Sequence, residues 1–129
     1  MSGVIVKPSP IHGRGVFAAR PIELGEVVIE GCREVLTDEA VKALPEEERN
    51  FVSVLDGRYV LLTPPARFVN HSCNPNARGT DRADVAIRRI EAGEEITVDY
   101  VAEQVPGLML RCNCQAPNCR GFLKVRADA

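Results

Sequence analysis

Tryptophan is absent from this 129-residue chain, and aromatic residues supply only 5% of it. Nucleic-acid binding leans on clustered positive charge and on stacking rings. A net charge of −2, a pI near 5.7 and so few rings argue against DNA or RNA as a direct partner. A locally acidic groove that draws in a basic peptide is still compatible with this balance. Long apolar runs are missing too. Met1-Ser2-Gly3-Val4-Ile5-Val6-Lys7 holds neither a signal-peptide core nor a membrane span. The expectation is no membrane contact and an intracellular place, cytoplasmic in a bacterium and nuclear in a eukaryote or its virus. There is no αβ alternation and no Gly-x-Gly-x-x-Gly opening a helix, so a doubly wound fold is excluded. With no low-complexity stretch or internal linker, the chain reads as one domain that buries roughly two-thirds of its unfolded surface.

What is present is short and β-rich. Val4-Ile5-Val6 reads as a first strand ended by Pro8. A two-glycine turn, Gly13-Arg14-Gly15, feeds Val16-Phe17. Arg20-Pro21-Ile22-Glu23-Leu24-Gly25-Glu26 and Arg88-Arg89-Ile90-Glu91-Ala92-Gly93-Glu94 are alike. Each places a glycine turn between apolar runs and predicts a hairpin, one turn solution used twice. Thr37 caps a short amphipathic helix through Leu44. Glu46-Glu47-Glu48 reads as a solvated face after Pro45. Phe51–Leu55 and Tyr59–Leu62 read as a hairpin about Asp56-Gly57, and Val85–Ile87 with Glu95–Tyr100 as paired strands.

The densest chemistry lies in Arg67-Phe68-Val69-Asn70-His71-Ser72-Cys73-Asn74-Pro75-Asn76. Here the end of a buried strand would present an amide, an imidazole, a hydroxyl and a thiol at one point. Near the C-terminus, Cys112-x-Cys114-x4-Cys119 has turn residues between its thiols, a spacing that suits tetrahedral Zn²⁺. A thin tail gains its folding energy from such an ion. A fourth ligand is needed. Sequence distance alone does not choose between Cys73 and Cys32, and Cys32 by itself reads as a small buried hydrophobe.

Taken together these motifs resemble the SET domain family of protein-lysine methyltransferases, which use S-adenosylmethionine. Gly13-Arg14-Gly15-Val16-Phe17 is similar to its N-terminal glycine motif, Arg67–Asn76 to its central signature, and Gly93–Tyr100 to its C-terminal motif. Arg111-Cys112-Asn113-Cys114 through Cys119-Arg120-Gly121-Phe122-Leu123 resembles the post-SET zinc segment. The resemblance implies a mainly β, β-clip fold of several small curved sheets with a pseudoknot and one or two short helices. It divides the chain into a SET domain, 1–107, and a post-SET zinc-binding tail, 108–129.

It also implies roles. Gly13, Arg14, Gly15, Arg67, Phe68, Asn70, His71 and Tyr100 would bind S-adenosylmethionine, with Phe122 or Leu123 covering its adenine. Cys73, Cys112, Cys114 and Cys119 would hold Zn²⁺. Tyr100 and His71 would be the catalytic pair. Phe51 and Val98 would line the substrate channel, Val98 standing where many relatives carry an aromatic ring. An aliphatic residue there implies a roomy channel that permits more than one methylation. The partner would be a lysine-bearing protein or peptide, histone or other. Exposed strand edges are compatible with a homodimer. Two other readings compete: a SET-like module that binds cofactor or peptide without turnover, and a small zinc domain for nucleic acid.

Overall fold

The computed structural model describes residues 3–125, so Met1, Ser2 and residues 126–129 of the expected tail lie outside the described residues. Among the described residues, twelve short strands build four small sheets. β1 (Val4–Pro8) and β2 (Arg14–Ala18) form an antiparallel pair. β3 (Val27–Glu30) and β4 (Arg33–Leu36) follow, in different sheets. Thr37 caps α1 (Asp38–Ala43) as expected, its hydroxyl accepting from the Ala40 amide at 3.1 Å. Pro45 opens α2 (Glu46–Arg49). The next hairpin also matches its sequence: β5 (Val52–Leu55) and β6 (Arg58–Leu62) pair antiparallel around Asp56-Gly57.

The central motif departs from the strand expected at Phe68 and Val69. Ala66–Phe68 is a 3₁₀ turn, because Pro65 and Ala66 carbonyls accept from the Phe68 and Val69 amides. Val69 is extended, but the paired strand β7 is confined to Asn70–His71. β8 (Ala77–Gly79) and β9 (Ala83–Ala86) come next, then β10 (Glu95–Val98), β11 (Met109–Arg111) and β12 (Phe122–Lys124).

The two similar strings do not form two hairpins. β2 pairs with β10 and β3 with β9, so each turn joins strands of different sheets. The units interlock instead. Ile22 and Ile90, both buried, exchange amide-to-carbonyl bonds at 2.8 Å in each direction. Gly25 donates to Ala86 and Gly93 to Ala18, each alanine lying two residues before the opposite string. Both glycines adopt left-handed φ, 85° and 86°, where a side chain is strained. The expected β9–β10 pairing is likewise replaced, since β9 lies between β3 and β8. Around this crossing gather Val16, Val28, Ile29, Val69, Ile96 and Val98, the main core.

β10 therefore lies between β2 and β7. It runs parallel to β7, with Thr97 opposite Asn70 and Val98 opposite His71. Asn76, 1% exposed, holds it from further along the loop: its amide donates to the Glu95 carbonyl at 2.8 Å and its Oδ1 accepts from the Thr97 amide at 2.9 Å. The C-terminal motif is thus gripped at both ends by the loop of residues 70–76, the contact pattern that a pseudoknot requires.

Candidate active site

A cavity of about 590 Å³ opens where the first glycine turn, the central motif and the tail converge. Its size falls within the range of ligand pockets. Of the expected residues it brings together Gly13, Arg14, Phe51, Arg67, Phe68, Asn70, His71 and Tyr100.

Gly15 stands outside that wall. Gly13 makes the turn, whereas Gly15 is needed for close approach: a Cβ there would collide with the Glu95 carboxylate and lie 2.9 Å from Ser9 Cβ. Phe122 is exposed, and Leu123 is buried against the tail's own sheet opposite Leu110. The apolar wall on the tail side is supplied by Leu108, Met109 and Leu110, which the sequence reading did not single out. The only available signal was an apolar triplet after Pro106-Gly107, in a tail with no core of its own to bury it.

Asn70 binds the motifs to each other. Its Nδ2 donates to the carbonyls of His12 at 3.0 Å and Arg14 at 2.9 Å, and to Glu95 Oε2 at 3.0 Å. Arg67 donates to Glu48 and lies 4.2 Å over the Phe51 ring, so one of the expected solvated glutamates is a partner of the central motif.

His71 is 4% exposed and both ring nitrogens are engaged. Nδ1 accepts from the Tyr100 amide at 3.0 Å, so the ring proton belongs on Nε2, which faces Cys73 Sγ at 3.3 Å. Burial holds its pKa below the usual histidine range despite the nearby Asp99. A neutral imidazole thus links Cys73 to the main chain of Tyr100. Tyr100 lies just beyond β10, in a turn, and its hydroxyl donates to the Val69 carbonyl at 2.6 Å. Burial, reinforced by the Glu103 and Glu95 carboxylates, pushes the phenol above its usual range. The hydroxyl keeps its proton and offers lone pairs to a ligand.

Cys73, Cys112, Cys114 and Cys119 have sulfur atoms all within 4.8 Å of one another. Thiolates about 2.3 Å from a tetrahedral Zn²⁺ stand about 3.8 Å apart, and Cys73 Sγ is 3.8 Å from Cys112 Sγ. The donor set therefore fits zinc. Burial opposes ionisation of Cys114, but amide donors from Cys73 and Ala116 outweigh it and bring the thiol down to about 6. Cys32 is not part of the cluster; it is half-buried against the core, in the turn between β3 and β4.

Residues 13–101 match the SET domain family model. This chain belongs to the SET domain family. It is 33% identical over 99% of its length to a Candida glabrata histone-lysine N-methyltransferase, H3 lysine-36 specific, and 38% identical over 89% to human histone-lysine N-methyltransferase 2B. It spans only 21% and 5% of those two relatives. A solved structure from Plasmodium falciparum, provisionally described as a histone methyltransferase, superposes with a TM-score of 0.64 at 19% identity, over 78% of this chain and 94% of that one. That likeness supports the fold. Among the described residues no helix is long and apolar enough to cross a membrane.

Proposed function

We propose that this chain is an S-adenosylmethionine-dependent protein-lysine N-methyltransferase. The observation that carries the reading is the convergence of Asn70, His71, Phe68 and Tyr100 on one cavity, in a chain whose family match runs from Gly13 to Val101. Residues 1–107 form the SET domain and 108–129 the post-SET tail. S-adenosylmethionine, when bound, supplies an electrophilic methyl group on a sulfonium. Gly13, Arg14, Arg67, Phe68, Asn70 and His71 would hold it, and Leu108, Met109 and Leu110 would cover it. Phe122, Leu123 and Gly15 retain supporting parts by family resemblance alone. Zn²⁺ on the four cysteines would be structural, fixing the tail over the cavity.

The substrate lysine must arrive beside Tyr100 as a neutral amine, although its reference pKa is near 10.4. Phe51, with Val98 on a smaller adjoining cavity, would form a narrow channel that lowers that pKa by desolvation. Tyr100, its own proton committed to Val69, would accept from the amine and aim its lone pair. Positioning of this kind supplies much of the rate of an in-line displacement. Histone-modifying relatives favour a basic histone segment as substrate, and a place beside chromatin where the host cell has a nucleus.

The test is transfer of labelled methyl from S-adenosylmethionine to a histone mixture and to whole-cell lysate by the zinc-loaded protein. Label on lysine is the expected result. Absence of transfer to either pool, with cofactor still bound, would overturn the enzyme reading in favour of a binding module.

A further inference from the structure

The reaction releases a proton that neither Tyr100 nor His71 takes. Tyr100 stays protonated, and both nitrogens of His71 are engaged. A second, smaller cavity of about 20 Å³ adjoins the first, and Asn50, Phe51, Arg67 and Tyr100 line both. Ser53, Asp84, Val98 and Glu103 are also on its wall. The wall is largely apolar, with Ser53, Asp84 and Glu103 among its polar residues, and the volume suffices for a single water.

Glu103 is 6% exposed, and its Oε2 accepts the Gly79 amide at 2.7 Å. The other acid on this cavity, Asp84, has a cation of its own: Arg33 Nη2 donates to its Oδ1 at 2.8 Å, and both side chains are almost fully buried. The charged groups facing Glu103 are therefore Arg33 and Asp84 from the sheets, and Asp99 from the loop after β10, with Tyr100 beside it. Arg67, the other cation on this wall, is paired with Glu48, so two buried acids share one buried cation and the second is short of compensation.

Resting on the methyltransferase reading, we propose that Glu103 accepts the substrate's ammonium proton through a water held in the small cavity. The –NH₃⁺ group gives a proton to the water, which passes one to the Glu103 carboxylate. The freed lone pair then forms the N–CH₃ bond while the S–CH₃ bond breaks and its electrons go to sulfur. Neutral Glu103 returns its proton to solvent before the next turnover. Burial, with Asp84, raises this carboxyl to about 7, which makes it a far better acceptor than an ordinary glutamate.

The experiment is a pH profile of kcat, from 6 to 9.5, on the substrate labelled by the wild type. The wild-type rate is expected to rise to about pH 7 and then level. Glu103→Gln, which keeps an acceptor for Gly79, should lose about 10²-fold at pH 7, a typical contribution of a general base. The deficit should shrink toward pH 9.5, with cofactor Kd unchanged within about threefold. A Glu103→Gln profile superimposed on the wild type would overturn the inference. If that variant does not fold, the wild-type profile decides: log kcat rising with unit slope from pH 6 to 9, with no bend near 7, would overturn it equally. A wild type inactive at every pH would instead overturn the methyltransferase reading, and this inference with it.

Discussion

Arg120 grips Asp99 with both guanidinium arms, Nη1 to Oδ1 at 3.1 Å and Nη2 to Oδ2 at 2.8 Å, one residue before Tyr100. Arg120 also donates its amide to Cys73 Sγ at 3.3 Å. The tail is therefore joined to the Tyr100 segment twice, through Arg120–Asp99 and through Cys73–His71–Tyr100. Burial works against ionised Asp99, but the Arg120 fork and the Val101 amide outweigh it and hold the carboxyl below its usual range.

Arg120→Lys keeps the charge but loses the planar fork. The expected outcome is a roughly 10-fold fall in kcat with little change in Tm, because the pair is partly exposed and contributes modestly to stability. Steady-state kinetics beside a thermal melt checks it. An unchanged kcat would show that Tyr100 is positioned without this clamp.

Cys114→Ser should release zinc and weaken cofactor binding at least 10-fold. Leu108–Asn113 form a wall of the large cavity, and Cys112 and Cys114 fix that stretch to Cys73. Metal content by mass spectrometry and cofactor Kd by calorimetry read the two effects. Cys32→Ser should leave the metal content unchanged.

The contribution of Glu103 to folding stability should fall as pH rises from about 4.5 to 7, against the opposite contribution of His71, whose folded pKa is lowered. Folded Glu103, raised to about 7, keeps its proton in that window whereas the unfolded chain has lost it, so the folded state binds more protons and the slope is negative. The loss is about 3 kcal/mol at most. Urea unfolding at pH 5 and pH 8 measures it, and Glu103→Gln should flatten the difference.

Val98, 3% exposed, lines the small cavity with Phe51 and Tyr100. By the family resemblance an aliphatic residue here leaves space where many relatives carry a ring, so the wild type should carry a lysine beyond the first methylation, and Val98→Phe should confine the product to monomethyl-lysine. Mass spectrometry of product lysines at long reaction times gives the answer. Only monomethyl-lysine from the wild type would contradict the roomy channel.

Much of this arrangement was legible because it is local. The Thr37 cap, the Asp56-Gly57 hairpin and the cysteine spacing are set by neighbours a few residues apart, and the crowded polar run at Asn70–Cys73 announced itself. Strand pairing was not. An alternating segment such as Glu95–Val98 declares its conformation but not its partners, which lie far off in the chain at Phe17 and Asn70. Glu48 reads as a surface acid because nothing local records that Arg67 will reach it, and nothing around Glu103 in the sequence marks it as the buried acid that Gly79 will meet. Cys73 separated itself from Cys32 only through the family resemblance and then in space, where its sulfur meets the tail thiols.

The most direct measurement is single-turnover methyl transfer to an identified lysine by zinc-loaded wild type and Tyr100→Phe, with cofactor Kd determined for both. The expected result is a fall of at least 100-fold in the transfer rate with Kd unchanged within about threefold, since the lost hydroxyl orients the amine rather than holding the donor. Equal rates in the two proteins would contradict the placing of the chemistry at Tyr100.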